Sequence, residues 1–187
     1  EEVPSLPVVA AGSLLELTLG DGQFSMPVGR VSFQHVEPMG FAEFLEAHGQ
    51  QRLLGALEGW RPGAIPLPEA AHERAAEWFH RYSMVGGMPA VVAADAGGRD
   101  ARACRELQRD LVAAFRGDFA KYSGRMQPGV LDATLLAVAG GLGRKLVYAR
   151  FGDGVKQYQA RRALDLLAGA RVCHLVRHTA ANGLPLG

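Results

Sequence analysis

LPVVAAGS, residues 6–13, is the stretch on which the fold of the chain turns. Val8, Val9, Ala10 and Ala11 form a short apolar run closed by Gly12 and the polar Ser13. That is the pattern of a strand buried on both faces with a polar residue at its C-terminal tip. A buried strand needs ladder partners for its backbone groups, and little sequence precedes this one. Its neighbours are therefore expected further along the chain or outside it.

Only one further stretch before the C-terminus has strand character. From Arg30 to Glu37, Val31, Phe33 and His35 interleave with Ser32, Gln34 and Val36 in an imperfect alternation that Pro38 stops, which predicts a second strand. Almost everything after Pro38 has helical spacing. GFAEFLEAHG places Phe41, Phe44 and Leu45 on one face with Glu43 and Glu46 outside, and Gly49 is placed to end it. A Pro- and Gly-rich connection, WRPGAIPLPEA, leads to a helix predicted over residues 69–84, with Trp78, Phe79 and Tyr82 as its apolar bulk and GGMP (86–89) as its stop. A further helix is predicted over 100–122: Cys104, Leu107, Leu111, Ala114, Phe115 and Phe119 recur at helical intervals while Arg105, Arg109 and Arg116 face water.

The texture changes after Ser123. Leu131, Leu135, Val138 and Leu142 mark a first helix, RKLVYARF suggests a second short one, and VKQYQARRALDLLAGA a third with Val155, Tyr158, Ala163, Leu164 and Leu167 inward and Gly169 as its cap. RVCHLVRH (171–178) reads as a closing strand. Three helices and a strand make a winged-helix expectation, with the third helix in the recognition position. The fold class expected is mainly α with minor β, in three parts: two strands over residues 1–37, which the family resemblance given below implies are the remnant of a parallel α/β sheet, a helical domain over 38–123, and a winged helix over 124–187.

Composition narrows the function classes. With 48% hydrophobic and 21% charged residues, the 187-residue chain sits in the globular range. Cys104 and Cys173 are its only cysteines and have no CxxC partner, so neither a disulfide framework nor a zinc ribbon is indicated and a reducing cytoplasm fits best. No apolar run approaches the ~20 residues of a membrane span, and there is no signal-peptide pattern. The net charge of +1 conceals a split: residues 1–139 hold 12 Lys/Arg against 17 Asp/Glu, residues 140–187 eight against two. A basic end on an acidic body points to a polyanion-facing module.

The cations of that end are the candidate contacts. Lys156, Gln157, Gln159, Arg161 and Arg162 populate the outward side of the third helix, Arg144, Lys145 and Arg150 precede it, and Arg171 and Arg177 flank the last strand. Lys and Arg grip phosphates without reading sequence, while Gln and Arg reach base edges in the major groove. DNA is thus one expected partner, through Arg144, Lys145, Lys156, Gln157, Gln159, Arg161, Arg162 and Arg171; an acidic protein, or a second copy of the chain, is the other. His174 and His178 beside Cys173 lack the spacing of a zinc site, so no metal ligand is assigned. No GxSxG elbow, HExxH pair or carboxylate dyad occurs, so no catalytic residue is assigned either.

Five blocks in order, PVVAAGSLLEL, PVGRVSFQHVEPMGFAEFL, YSMVGGMPAVV, DFAKY and KQYQARRALDLLAGARVCHLV, resemble the prokaryotic AAA+ superfamily ATPases fused to a C-terminal domain of unknown function. That resemblance implies that residues 1–37 end an ATPase sheet, that the helices after it form the lid, and that Ser13 occupies the sensor position beside a nucleotide. Arg30, the charge nearest the second strand, is a candidate to stabilise phosphate charge. ATP and Mg²⁺ are the cofactors implied for the parent protein. The phosphate loop and the acidic magnesium-binding strand would lie upstream of Glu1, and a further domain beyond Arg177. GGLGRK (140–145) is no substitute, because it lacks the GxxxxGK[ST] spacing and follows no strand. The stretch by itself is therefore expected not to hydrolyse ATP. A free-standing winged-helix regulator and a protein-interaction adaptor are the alternatives.

Overall fold

The computed structural model describes residues 7–9, 11–12, 32, 34–119, 126–152 and 154–177. The chain divides into two compact units, Ser32–Phe115 on the one hand and Glu1–Val31 with Arg116–Gly187 on the other. Every regular element among the described residues is helical.

Five helices build the first unit: α1 (Phe41–Ala47), α2 (Gln51–Glu58), α3 (Glu69–Val85), α4 (Pro89–Ala96) and α5 (Ala101–Phe119), whose last turn belongs to the second unit. α1 starts where the Gly40 N–H donates to Glu43 Oε2 at 2.7 Å, and α5 where the Ala103 N–H donates to Asp100 Oδ1 at 2.8 Å; each carboxylate satisfies an otherwise orphaned N-terminal donor. The core gathers Phe44 and Leu45 of α1, Leu53 of α2, Trp78 of α3 and Val92 of α4. On the other side of α4, Val91 and Ala94 pack with Cys104 of α5. α5 also stops α3, because Gln108 Nε2 donates to the terminal carbonyls of Met84 and Val85, each at 2.9 Å.

The GGMP stretch does three jobs. Gly86 takes φ +77°, a left-handed backbone that glycine adopts without penalty. Gly87 lies against the backbone of Met39: the Met39 N–H donates to its carbonyl at 2.7 Å, and a Cβ on Gly87 would overlap the Met39 carbonyl oxygen. Tyr82 Oη donates to that same Met39 oxygen at 2.9 Å. Pro89 then opens α4 at a first-turn position, where its missing N–H costs nothing.

A polar cluster ties three of these helices together. Asp95 of α4 accepts two hydrogen bonds from Arg81 of α3, from Nε and Nη2, each at 2.9 Å. It accepts a third from Nε2 of His48, the residue that ends α1, also at 2.9 Å. His48 Nδ1 lies 2.7 Å from the Phe44 carbonyl oxygen, and the imidazole packs 4.2 Å from the Phe44 ring and 5.2 Å from Trp78. The guanidinium of Arg81 covers the other ring contact, 5.3 Å from the Trp78 centroid. Side chains of His48 and Asp95 are only 5% and 11% exposed. Burial pushes the Asp95 carboxyl up, but the hydrogen bonds from Arg81 and His48 outweigh it and hold the group below the usual carboxylate range.

The second unit has α6 (Pro128–Gly140), a 3₁₀ turn (Tyr148–Arg150) and α7 (Gln157–Gly169). Its core joins Phe119, Met126, Val130 and Leu131 to Ala163 and Leu167, and a second cluster joins Phe151 to Ala160 and Leu164. Thr134 of α6 is fully buried with its hydroxyl unpartnered.

The expected strands are the main correction. Residues 7–9 and 11–12 form no ladder among the described residues, and Val8 and Val9 stand 79% and 95% exposed. Of the second predicted strand, residues 32 and 34–37 are irregular and exposed. The stretch 174–177 is irregular too, with Val176 95% exposed. No described segment offers any of these three a row of backbone donors and acceptors, and an extended segment without a ladder partner is not a strand. Neither a parallel α/β sheet remnant at the start nor the β-wing of a winged helix at the end is present among the described residues; this is a helical fold. α2 and α4 are the helices that pattern reading overlooks.

Two outcomes follow. Gly87→Ala should lower the stability of the first unit by about 1–3 kcal/mol in urea denaturation, the usual cost of forcing atoms into an occupied space, whereas wild-type stability would refute the Met39 contact. For Asp95, a folded pKa held below its unfolded value means stability present above about pH 4 and lost as pH falls through the folded value. Asp95→Asn should cost about 2 kcal/mol at pH 7, and the gap to wild type should close at acid pH; an equal gap at both pH values would refute the ion cluster.

Candidate nucleic-acid interface

α7 carries its apolar residues at 160, 163, 164 and 167, an i, i+3, i+4, i+7 stripe, and all four are buried. The small Ala160 and Ala163 let the helix approach its neighbours closely, and Leu164 and Leu167 fill the space around Phe151 and Phe119. Because that face is committed, the opposite one must face solvent. Tyr158, Arg161, Arg162 and Asp165 are exposed along it, as are Lys156 and Gln157 at the helix start. The 3₁₀ turn packs on the same helix through Tyr148 and Phe151, so that Arg150, and Arg144 and Lys145 in the loop before it, are exposed on a segment docked to α7.

Arg144, Lys145, Arg150, Lys156, Arg161 and Arg162 form no ion pair among the described residues. Asp165 stands four residues after Arg161, in reach of an i, i+4 pair, yet bonds neither neighbouring arginine. Arg116 shows the contrast: it forks onto both carboxylate oxygens of Asp132. That hydrogen bonding holds Asp132 below the usual carboxylate range.

Two of the predicted contacts have structural work as well. Gln159 is half-buried and its Oε1 accepts the Lys156 N–H at 3.0 Å, which satisfies a donor at the start of α7. Arg171, with φ +59°, occupies the left-handed position just after the helix. There its N–H donates to the Ala168 carbonyl at 3.0 Å while Val172 N–H reaches Leu167 at 2.9 Å, the paired bonds of a Schellman ending. Gly169, the expected cap, is instead the last helical residue. A non-glycine residue in this conformation costs roughly 1 kcal/mol. Arg171 is exposed but already engaged within the fold.

Pattern reading placed Tyr158 inward; the structure leaves it 66% exposed. The signal was available, since 158 falls off the 160/163/164/167 stripe. Ser13 and Arg30, the two residues assigned to a nucleotide, lie outside the described residues. Among the described residues no group of three His, Cys, Asp or Glu side chains is placed to hold a metal ion. Cys173 is half-buried, and burial pushes its thiol up, away from the thiolate that would bind metal or attack an electrophile. Among the described residues, no helix is long and apolar enough to cross a membrane.

A profile of the family described as a domain of unknown function (DUF8612) matches residues 76–185. No curated protein and no solved structure matches the chain. The likeness to AAA+ ATPases drawn from the five sequence blocks is overturned by these findings together: the family matched is a different one, and the described residues contain no strand of an ATPase sheet.

The separate roles of the two glutamines can be measured. Gln159→Ala should lower thermal stability by about 0.5–1 kcal/mol, as loss of a helix-start hydrogen bond does, while Gln157→Ala leaves the melting temperature unchanged; equal effects would contradict the assignment.

Proposed function

Given that the chain belongs to the family described as a domain of unknown function (DUF8612), we propose that it is a DNA-binding module whose contact surface is the exposed face of α7 with the adjoining loop. The observation that carries this reading is the row of exposed, uncompensated cations: Lys156, Arg161 and Arg162 on α7 and Arg144, Lys145 and Arg150 beside it. Like charges gathered without counter-ions repel one another and destabilise the fold that holds them. A polyanion removes that repulsion, and its condensed counter-ions are released on binding, which makes phosphate the natural complement.

The chemistry assigned to the residues differs. Arg161 and Arg162 present planar forks suited to two phosphate oxygens, whereas Lys145 and Lys156 act as point charges. Gln157 supplies an amide that both donates and accepts. These are positioning contacts first, fixing the module on the backbone of the nucleic acid. The reading is of a binding module, with no catalytic group assigned. A reducing, cytoplasmic setting belongs to the same proposal, supported by Cys104 and Cys173 both being free thiols.

Replacing both Arg161 and Arg162 with Glu should weaken affinity for a short DNA at least tenfold at low salt, about 1.4 kcal/mol or more. Unchanged affinity in a gel-shift titration would defeat the reading, and so would tighter binding to an acidic polypeptide than to DNA.

A further inference from the structure

The basic face is interleaved with apolar side chains that stand wholly or partly exposed. Tyr158 is 66% exposed, and Arg161 and Arg162 follow it by three and four residues, on the same side of α7. Its hydroxyl has no partner among the described residues. In the docked loop, Leu142, Leu146 and Val147 are exposed at 75%, 41% and 38% around Arg144 and Lys145. Single exposed apolar residues are ordinary on a protein surface. Here they flank the exposed cations, and the Tyr158 ring lies on the same side of α7 as Arg161 and Arg162 by helical spacing.

Duplex DNA gives such a surface only half of what it offers. Its phosphates would meet the cations, but its base faces are stacked against each other and present no apolar plane to Tyr158 or Leu146. An unpaired strand presents both, with phosphates for Arg161 and Arg162 and an open base face for the tyrosine ring, and every base has such a face. We infer, building on the DNA-binding reading above, that the preferred ligand is single-stranded DNA, with Tyr158 stacking on an unpaired base between phosphates held by Arg161 and Arg162. An anionic membrane surface would also meet cations and aliphatic side chains together. An exposed aromatic ring on the side of the helix that carries two planar guanidinium groups favours the base, since both ring and guanidinium stack on a π-face.

Fluorescence anisotropy with a labelled mixed-sequence strand, the same strand in duplex form, and anionic phosphatidylserine vesicles as competitor tests this with four proteins: wild type, Tyr158→Ala, Tyr158→Phe and the Arg161→Glu, Arg162→Glu double variant. The strand should bind more tightly than the duplex. Tyr158→Ala should lose about fivefold to a hundredfold on the strand, the range that stacking on one base supplies, and change little on the duplex. Tyr158→Phe should stay near wild type, since it keeps the ring. Equal affinity of wild type for strand and duplex, with Tyr158→Ala behaving as wild type, overturns the single-strand inference and leaves DNA binding standing. Failure of wild type to bind either form at low salt overturns both, whereas displacement of the protein from the strand by the vesicles at matched charge overturns the single-strand inference in favour of a lipid surface.

Discussion

The burial of one face of α7 determines what the second unit can present to a partner. Ala160, Ala163, Leu164 and Leu167 are enclosed, and rotating the helix to hide any of its cations would bring these four into water. At about 25 cal/mol per Å² of apolar surface, exposing even one leucine costs on the order of 2 kcal/mol. The outward row of Tyr158, Arg161 and Arg162 is therefore a consequence of packing. The loop that carries Arg144 and Lys145 is tied to it by Phe151, whose ring lies with Ala160 and Leu164.

The first unit solves a different problem, that of holding short helices together. α1, α2 and α4 are seven or eight residues long, too short to persist in water without tertiary support. Their support is shared between aromatic packing and the Asp95 cluster. Phe44, Trp78 and Tyr82 meet at ring separations of 5.3 and 6.2 Å, and Asp95 then joins the ends of α1 and α4 to the C-terminal part of α3 through His48 and Arg81. A nearly buried carboxylate is tolerable because three hydrogen bonds from basic side chains replace its water. The close approach of Gly87 to Met39 fixes how the chain before α1 meets the α3–α4 corner.

The long helices were legible in the sequence because their apolar spacing runs for several turns: α3 is expected over 69–84 and found at Glu69–Val85. α2 was hidden by Gly55, and α4 by the reading of GGMP purely as a stop, when Pro89 also starts a helix. The strands were over-read because Val8–Ala11 is four residues long, and a short apolar run has no period to distinguish strand from loop. What makes a strand is a partner, and partners are set by tertiary structure. The same limit hid the His48–Asp95 contact, whose members lie 47 residues apart. Of the candidate interface, the residue types and their clustering were legible, whereas the exposure of Tyr158 and the capping role of Gln159 needed the helix's rotation and start to be known.

Nucleic-acid recognition, as proposed, is chiefly an ionic exchange at a surface whose cations Arg144, Lys145, Arg150, Lys156, Arg161 and Arg162 form no ion pair among the described residues. The dependence of affinity on salt reports that exchange most directly. With about five phosphates neutralised, a plot of log affinity against log salt for a duplex should fall with a slope of about −4 to −5. A slope near zero, or binding that persists undiminished at high salt, would contradict the claim that these uncompensated cations form the binding surface.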